Sequence, residues 1–175
     1  MQMKKLTRII SLTLALSALL LTGVGCGIYS FSGTSIQSDV NSITINYIEY
    51  KALKVNPSLS NDLTEALKEQ FRKMTKLEQV EMDGDLEIEA AITGYDVKAM
   101  AVTANETAAQ NRLTVSVKVS FTNRKHSEDD FPDKSFSAYA DFDSSLSLDS
   151  MEAQLCDEIV EKLCDDIFNA TVAQW

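Results

Sequence analysis

The sequence is short of the side chains that metal centres and nucleophilic active sites draw on. One histidine and three cysteines stand among 175 residues, little material for a metal site. Two prolines and six glycines exclude collagen-like and low-complexity chains. Bases are outnumbered 16 to 26 by acids, a net charge of −10. That speaks against a nucleic-acid partner, because phosphate neutralisation needs a basic surface. No apolar run reaches the roughly 20 residues of a membrane-spanning helix. What is present, 45% hydrophobic and 24% charged residues, suits one ordinary globular domain.

The N-terminus reads as an address. Lys4, Lys5 and Arg8 carry all the charge that precedes Asp39, and Ile9 to Leu21 is an apolar run of 13 residues. A basic start before a short apolar core is the pattern of a secretory signal peptide, predicted here over residues 1–25. The stretch Thr22–Gly23–Val24–Gly25–Cys26 resembles a lipobox, although Gly23 stands where such boxes usually carry leucine. Cys26 is therefore expected to be acylated with palmitate-class chains and to become the mature N-terminus. Each buried methylene contributes about 0.8 kcal/mol, so a triacylated anchor would hold the protein permanently on a membrane. Maturation would leave 150 residues with 13 bases and 26 acids. Residues 26–41 form a Ser- and Gly-rich lipidated leader. Gly27 rather than Asp follows the cysteine, and no acid appears before Asp39. Both features predict the periplasmic face of the outer membrane.

Residues 42–175 carry the folded domain. Ile43, Ile45 and Tyr47 alternate with Thr44 and Asn46, a half-buried strand. After Pro57, Leu63, Ala66, Leu67, Phe71 and Met74 recur at helical spacing, with Asp62 and Glu65 placed as a capping box. Asp83–Gly84 turns the chain into a second strand with Leu86, Ile88, Ala90 and Ile92 on one face. Past Gly94 the apolar parity moves to Tyr95 and Val97, which predicts a bulge there. Leu113, Val115, Val117, Val119 and Phe121 mark a third strand, and Phe136, Ala138, Ala140 and Phe142 a fourth. A long final helix is defined by Leu155, Ile159, Leu163 and Ile167, capped by Asp149 and Glu152. The predicted fold is α+β: a two-layer sandwich in the order β-α-β-β-β-α, a four-stranded sheet with two helices on one face.

Catalytic groups are hard to assemble. His126 lies in the polar turn Asn123–Asp130, and no nucleophile motif accompanies it. Glu128, Asp129, Asp130 and Asp133 lack the ligand spacing of a calcium loop, so no metal or cofactor is predicted. Cys156 and Cys164 are eight residues apart on one helix, about 12 Å by helix rise, too far for a disulfide; they read as small apolar core residues. Ser150 fits either an O-glycan acceptor or a helix cap. The segment Lys98–Asn111 has two readings, a locally packed or disordered loop and a contact loop for a partner or lipid.

Several segments together resemble a known family. Cys26–Gly27–Ile28–Tyr29–Ser30–Phe31–Ser32–Gly33, directly after a signal peptide, is similar to the start of the LPS-assembly lipoproteins of the LptE family, in its non-proteobacterial branch. Glu106 to Val115 resembles that family's loop-to-strand segment, and the element order agrees. The resemblance implies a non-enzymatic protein in the lumen of the outer-membrane barrel LptD, acting as plug and assembly factor for lipopolysaccharide insertion. It also implies lipopolysaccharide as a ligand, with Lys98, Thr107, Gln110 and Arg112 as candidate contacts to partner or glycolipid. Basic residues serve that role in proteobacterial members. Here Lys98 and Arg112 are the bases of the region, and residues 135–161 contain none. The competing reading is a generic periplasmic-face lipoprotein, such as a pilotin-like helper of another outer-membrane pore. An envelope hydrolase, the enzymatic alternative, finds no catalytic constellation.

Overall fold

A computed structural model describes residues 36–54, 56–100 and 109–173. The predicted signal peptide, Cys26, the leader as far as residue 35 and Thr107 lie outside the described residues. The elements are β1 (Ser42–Ile45), β2 (Glu49–Tyr50), α1 (Leu59–Met74), β3 (Glu78–Gln79), β4 (Leu86–Ala99), β5 (Gln110–Asn123), β6 (Phe131–Asp143) and α2 (Leu148–Thr171). The sheet runs β3-β1-β4-β5-β6, with β2 also paired to β4. It has six strands where the sequence predicts four. The additions, β2 and β3, are two residues each, too short to show any periodicity. The class is α+β as expected, with both helices packed on one sheet face.

β4, β5 and β6 form an antiparallel meander. β1 lies parallel to β4 against Leu86–Ile88, and β2 continues along the same edge against Ala91–Ile92. The alternation in β5 is carried through: Leu113, Val115, Val117, Val119 and Phe121 are all buried. A register shift between Ile92 and Gly94 supplies the predicted bulge and brings Tyr95 onto the buried face.

Local chemistry departs from the expected pattern at four points. Tyr47 is 62% exposed while Ile48 is fully buried. The first strand breaks after Ile45, and the Ile48 N–H donates to Thr64 Oγ1 at 3.0 Å, which turns the next side chain inward. Asp62 caps nothing, because α1 begins earlier; the Asn56 side-chain carbonyl accepts from Ser58 N and Leu59 N. At the second helix Ser147, rather than Asp149, is the cap, accepting from Ser150 N at 3.3 Å. Met74, expected on the core stripe, is 52% exposed, because α1 ends there and its last turn overhangs the groove beside α2.

The turn before β4 divides its work between two residues. Asp83 takes the left-handed conformation, φ 57°. Gly84 keeps ordinary φ but lies against β1, where a Cβ would sit 2.6 Å from Thr44 N; only glycine admits that approach.

The two helices run parallel. Asn56–Cys156, Gln70–Asp165 and Phe71–Phe168 are contacts that climb together along both chains. The Phe71 and Phe168 rings meet edge-on with centroids 5.0 Å apart. Cys156 and Cys164 are free and buried in this layer, as expected of small core residues. Burial pushes the Cys164 thiol up to about 12, so it stays protonated and unreactive. Among the described residues, no helix is long and apolar enough to cross a membrane.

Candidate functional site

The long strands bring most of the predicted contact residues to one end of the molecule. β4 continues to Ala99 and β5 begins at Gln110, so Lys98 and Arg112 belong to strands, directly opposite one another. Met100 N donates to Gln110 O at 2.8 Å, and Ser144 N to Ala109 O at 3.1 Å. These two bonds tie the hairpin end to the turn between β6 and α2. Val97, Met100 and Leu146 are partly exposed at this end.

The two bases there are in different states. Arg112 makes a two-pronged bond to Asp141, Nε to Oδ1 at 2.7 Å and Nη2 to Oδ2 at 2.8 Å. Its guanidinium also lies 3.6 Å from the centroid of the Tyr139 ring. The fork and the stack suit a planar cation. The same bonds hold the Asp141 carboxyl below the usual carboxylate range. Lys98, in contrast, is exposed and has no ion-pair partner among the described residues. Gln110 contributes through its backbone carbonyl.

Sequence reasoning finds Arg112 but misses Asp141 and Tyr139, which occupy it. That pairing depends on the β5–β6 register, Arg112 opposite Asp141, which follows from the Asn123–Asp130 turn together with a register shift between Val119 and Phe121 rather than from alternation. Behind this end, Tyr95 OH is hydrogen-bonded to Glu152 on the first turns of α2. Burial above all, and then Glu152, raises the Tyr95 pKa. The Ser150 hydroxyl donates to Ser147 O at 2.7 Å, within the cap.

The opposite end is built from turn polar groups. His126 Nε2 lies 2.9 Å from Asp39 Oδ1 and Nδ1 lies 3.5 Å from Glu128. Asp39 raises the His126 pKa, and His126 lowers that of Asp39. Asp129 accepts from Gln37 Nε2 and Asn123 Nδ2, and Asp130 from Asn123 N. These acids hold the turn together. Among the described residues, no group of three or more His, Cys, Asp or Glu is placed to hold a metal ion. The hairpin end, by contrast, offers apolar surface, a lysine with no ion-pair partner among the described residues and an arginine locked to Asp141.

Comparison with known proteins gives one family and a shared fold. The sequence model described as "LptE: Lipopolysaccharide-assembly" matches residues 40–171. No curated protein matches the chain. A hypothetical protein from Chlamydia trachomatis is 9% identical, with a TM-score of 0.51 over 77% of this chain and 99% of its own. A minor lipoprotein from Acinetobacter baumannii is 12% identical, with a TM-score of 0.45 over 73% of this chain and 89% of its own. The uncharacterized lipoprotein B of Nitrosomonas europaea is 9% identical, with a TM-score of 0.49 over 73% and 79%. At such identities the Chlamydia structure speaks for the fold alone.

Proposed function

Because this chain belongs to the LptE lipopolysaccharide-assembly family, a family of non-enzymatic assembly factors, we propose that it is an outer-membrane lipoprotein, anchored through Cys26 on the periplasmic face. There it works with an LptD-type barrel as plug and assembly factor for lipopolysaccharide insertion. The observation that carries this reading is the family match across residues 40–171, nearly the whole described domain.

Two structural features support it. The uncovered sheet face is lined by hydroxyls and matched charges, among them Ser116, Ser137, Lys118 and Asp133. Such a surface suits the polar interior of a large outer-membrane barrel. The far end, with Lys98, Met100, Gln110 and Leu146, and with Thr107 in the connecting segment, is the contact region for barrel or glycolipid. Arg112 is committed to Asp141, so Lys98 is the base left for a lipopolysaccharide phosphate, and the plug role rests on shape and interface.

Affinity purification from detergent-solubilised membranes tests the proposal. The expected result is co-purification of a large barrel with a lipopolysaccharide-transport periplasmic domain. Recovery of a secretin in its place would establish the pilotin-like reading. The anchor has its own test: Cys26→Ser should abolish labelling by a fatty-acid analogue, and labelling that persists would remove Cys26 from its role.

A further inference from the structure

A groove between α1 and α2, on the side of the helices away from the sheet, encloses about 690 Å³. Its floor is apolar: Ala66, Met74, Val160 and Cys164. Its walls carry Asp62, Glu65, Glu69 and one base, Lys73, from α1, and Asp157, Glu161 and Asp165 from α2. Spacings of three and four residues place each acidic trio on one helix face, and parallel helices set the two rows side by side. Each row is about 11–12 Å long by helix rise.

The cations present neutralise most of the α1 wall and none of the α2 row. Lys68 pairs with Glu65, and Arg72 and Lys73 both pair with Glu69. Asp165 accepts only the neutral amide of Gln70, at 2.8 Å. Among the described residues, Asp62, Asp157 and Glu161 have no cationic partner. Like charges at i, i+4 along α2 oppose the helix, and Met74 is exposed over the same groove. An apolar floor bordered on one side by the unpaired acids of α2, with Asp62 across from them, is the complement of one kind of ligand.

We propose that this groove docks a basic amphipathic helical segment of a partner polypeptide. Small apolar residues would sit on Ala66, Val160, Cys164 and Met74, and lysines or arginines on the flank beside α2 would meet Asp157, Glu161 and Asp165, with Asp62 in reach at the start of α1. This is the helix-in-groove mode of recognition, with charge complementarity selecting the partner. The inference stands independently of the barrel partnership, because the groove lies on the helical layer and the proposed contact end does not contribute to it.

The test uses the full chain in detergent and a fluorescein-labelled peptide of about 14 residues. Its leucine and alanine lie along one helical face, flanked by lysines. A scrambled peptide of identical composition serves as control. Fluorescence anisotropy should show binding of the amphipathic peptide that weakens as salt rises from about 0.05 to 0.5 M. The triple variant Asp62→Asn, Asp157→Asn, Glu161→Gln should lose at least about tenfold in affinity. Ala66→Arg, which places a cation on the half-buried floor, should do the same. Circular dichroism melts of both variants confirm that they are folded. Glu87→Gln with Glu89→Gln, on the uncovered sheet face, should leave binding unchanged. Equal affinity for the scrambled peptide would reduce the groove to a general attraction for polycations and overturn the proposal. So would a triple variant that binds like the parent.

Discussion

The two faces of this molecule handle charge in opposite ways. On the uncovered sheet face, three of the bases are matched across strands or turns, Arg112 with Asp141, Lys118 with Asp133 and Arg124 with Glu87, while Lys98, Glu89 and Asp96 have no ion-pair partner among the described residues. On the helical face, α2 carries seven carboxylates, from Asp149 to Asp166, and a single base, Lys162. Lys162 is itself shared between Glu158 and the Tyr139 carbonyl. A sheet fixes its cross-strand neighbours, so each charge can be given a partner about 5 Å away. A helix surface offers neighbours three and four residues away, and α2 fills those places largely with further acids. Between sheet and helices the core holds no charged residue among the described residues.

That contrast can be broken most severely by moving a charge across the sheet. Val117 is fully buried in the middle of β5, on the helix side, while Ser116 and Lys118 look the other way. Val117→Asp would bury an unpaired carboxylate, a cost of several kcal/mol that approaches a domain's whole stability. Loss of the cooperative thermal transition is expected. A wild-type melt would mean that the two faces have been assigned in reverse.

Next in size is the close approach at Gly84, where a Cβ would lie 2.6 Å from Thr44 N and 2.8 Å from the Ile43 carbonyl carbon. Both neighbours are backbone and cannot rotate away. Gly84→Ala should destabilise by about 1–3 kcal/mol through overpacking, read as a lowered denaturation midpoint at unchanged slope.

A smaller effect, of opposite sign, is expected on the helical face. Glu161 lies four residues from both Asp157 and Asp165, and each such like-charge pair opposes the helix by about 0.2–0.5 kcal/mol. Glu161→Gln should therefore raise stability by roughly 0.5 kcal/mol at low salt, with the gain fading as salt is added. Unchanged or lowered stability would show that the acids of α2 are compensated within the chain.

The smallest effect is a pH dependence at the turn end. His126 has a raised pKa and Asp39 a lowered one, each through the other. The histidine's contribution is full below its unfolded value, about 6.5, and is lost as pH rises through the higher folded value. The aspartate's is full above about 4 and is lost as pH falls through its depressed value. The pair is thus strongest between about pH 4 and 6.5. His126→Gln should flatten the fall in melting temperature above neutrality; an unaltered slope would assign that titration elsewhere.

How much could be read from the sequence follows the same division. The apolar stripes of β4, β5, β6 and both helices were legible because burial on one side imposes a period on the residues. The bulge at Gly94 was legible because parity changes there. Tyr47 was not: the chain breaks its strand to reach Thr64, a tertiary contact that local alternation does not encode. Both caps were misplaced for a similar reason, since Asn56 and Ser147 lie just outside the periodic stretches that mark the helices. Lys98 and Arg112 were legible as bases of one region, but the capture of Arg112 by Asp141 needs the register of a neighbouring strand. The acidic groove was invisible because it exists only once two helices, distant in sequence, lie side by side.

The bulge in β4 also works as a phase lock. Before it, even-numbered residues such as Leu86, Ile88 and Ile92 face the helices; after it, Tyr95 does so and Asp96 is exposed. A single strand therefore carries two patterns half a period apart, joined at one position. Sliding β4 by one residue against β5 would turn both patterns to the wrong face, and losing the bulge would set one of the two wrong whichever register was kept. The long hairpin has one stable alignment, and the height at which Lys98 and Met100 stand above the helical layer is fixed with it.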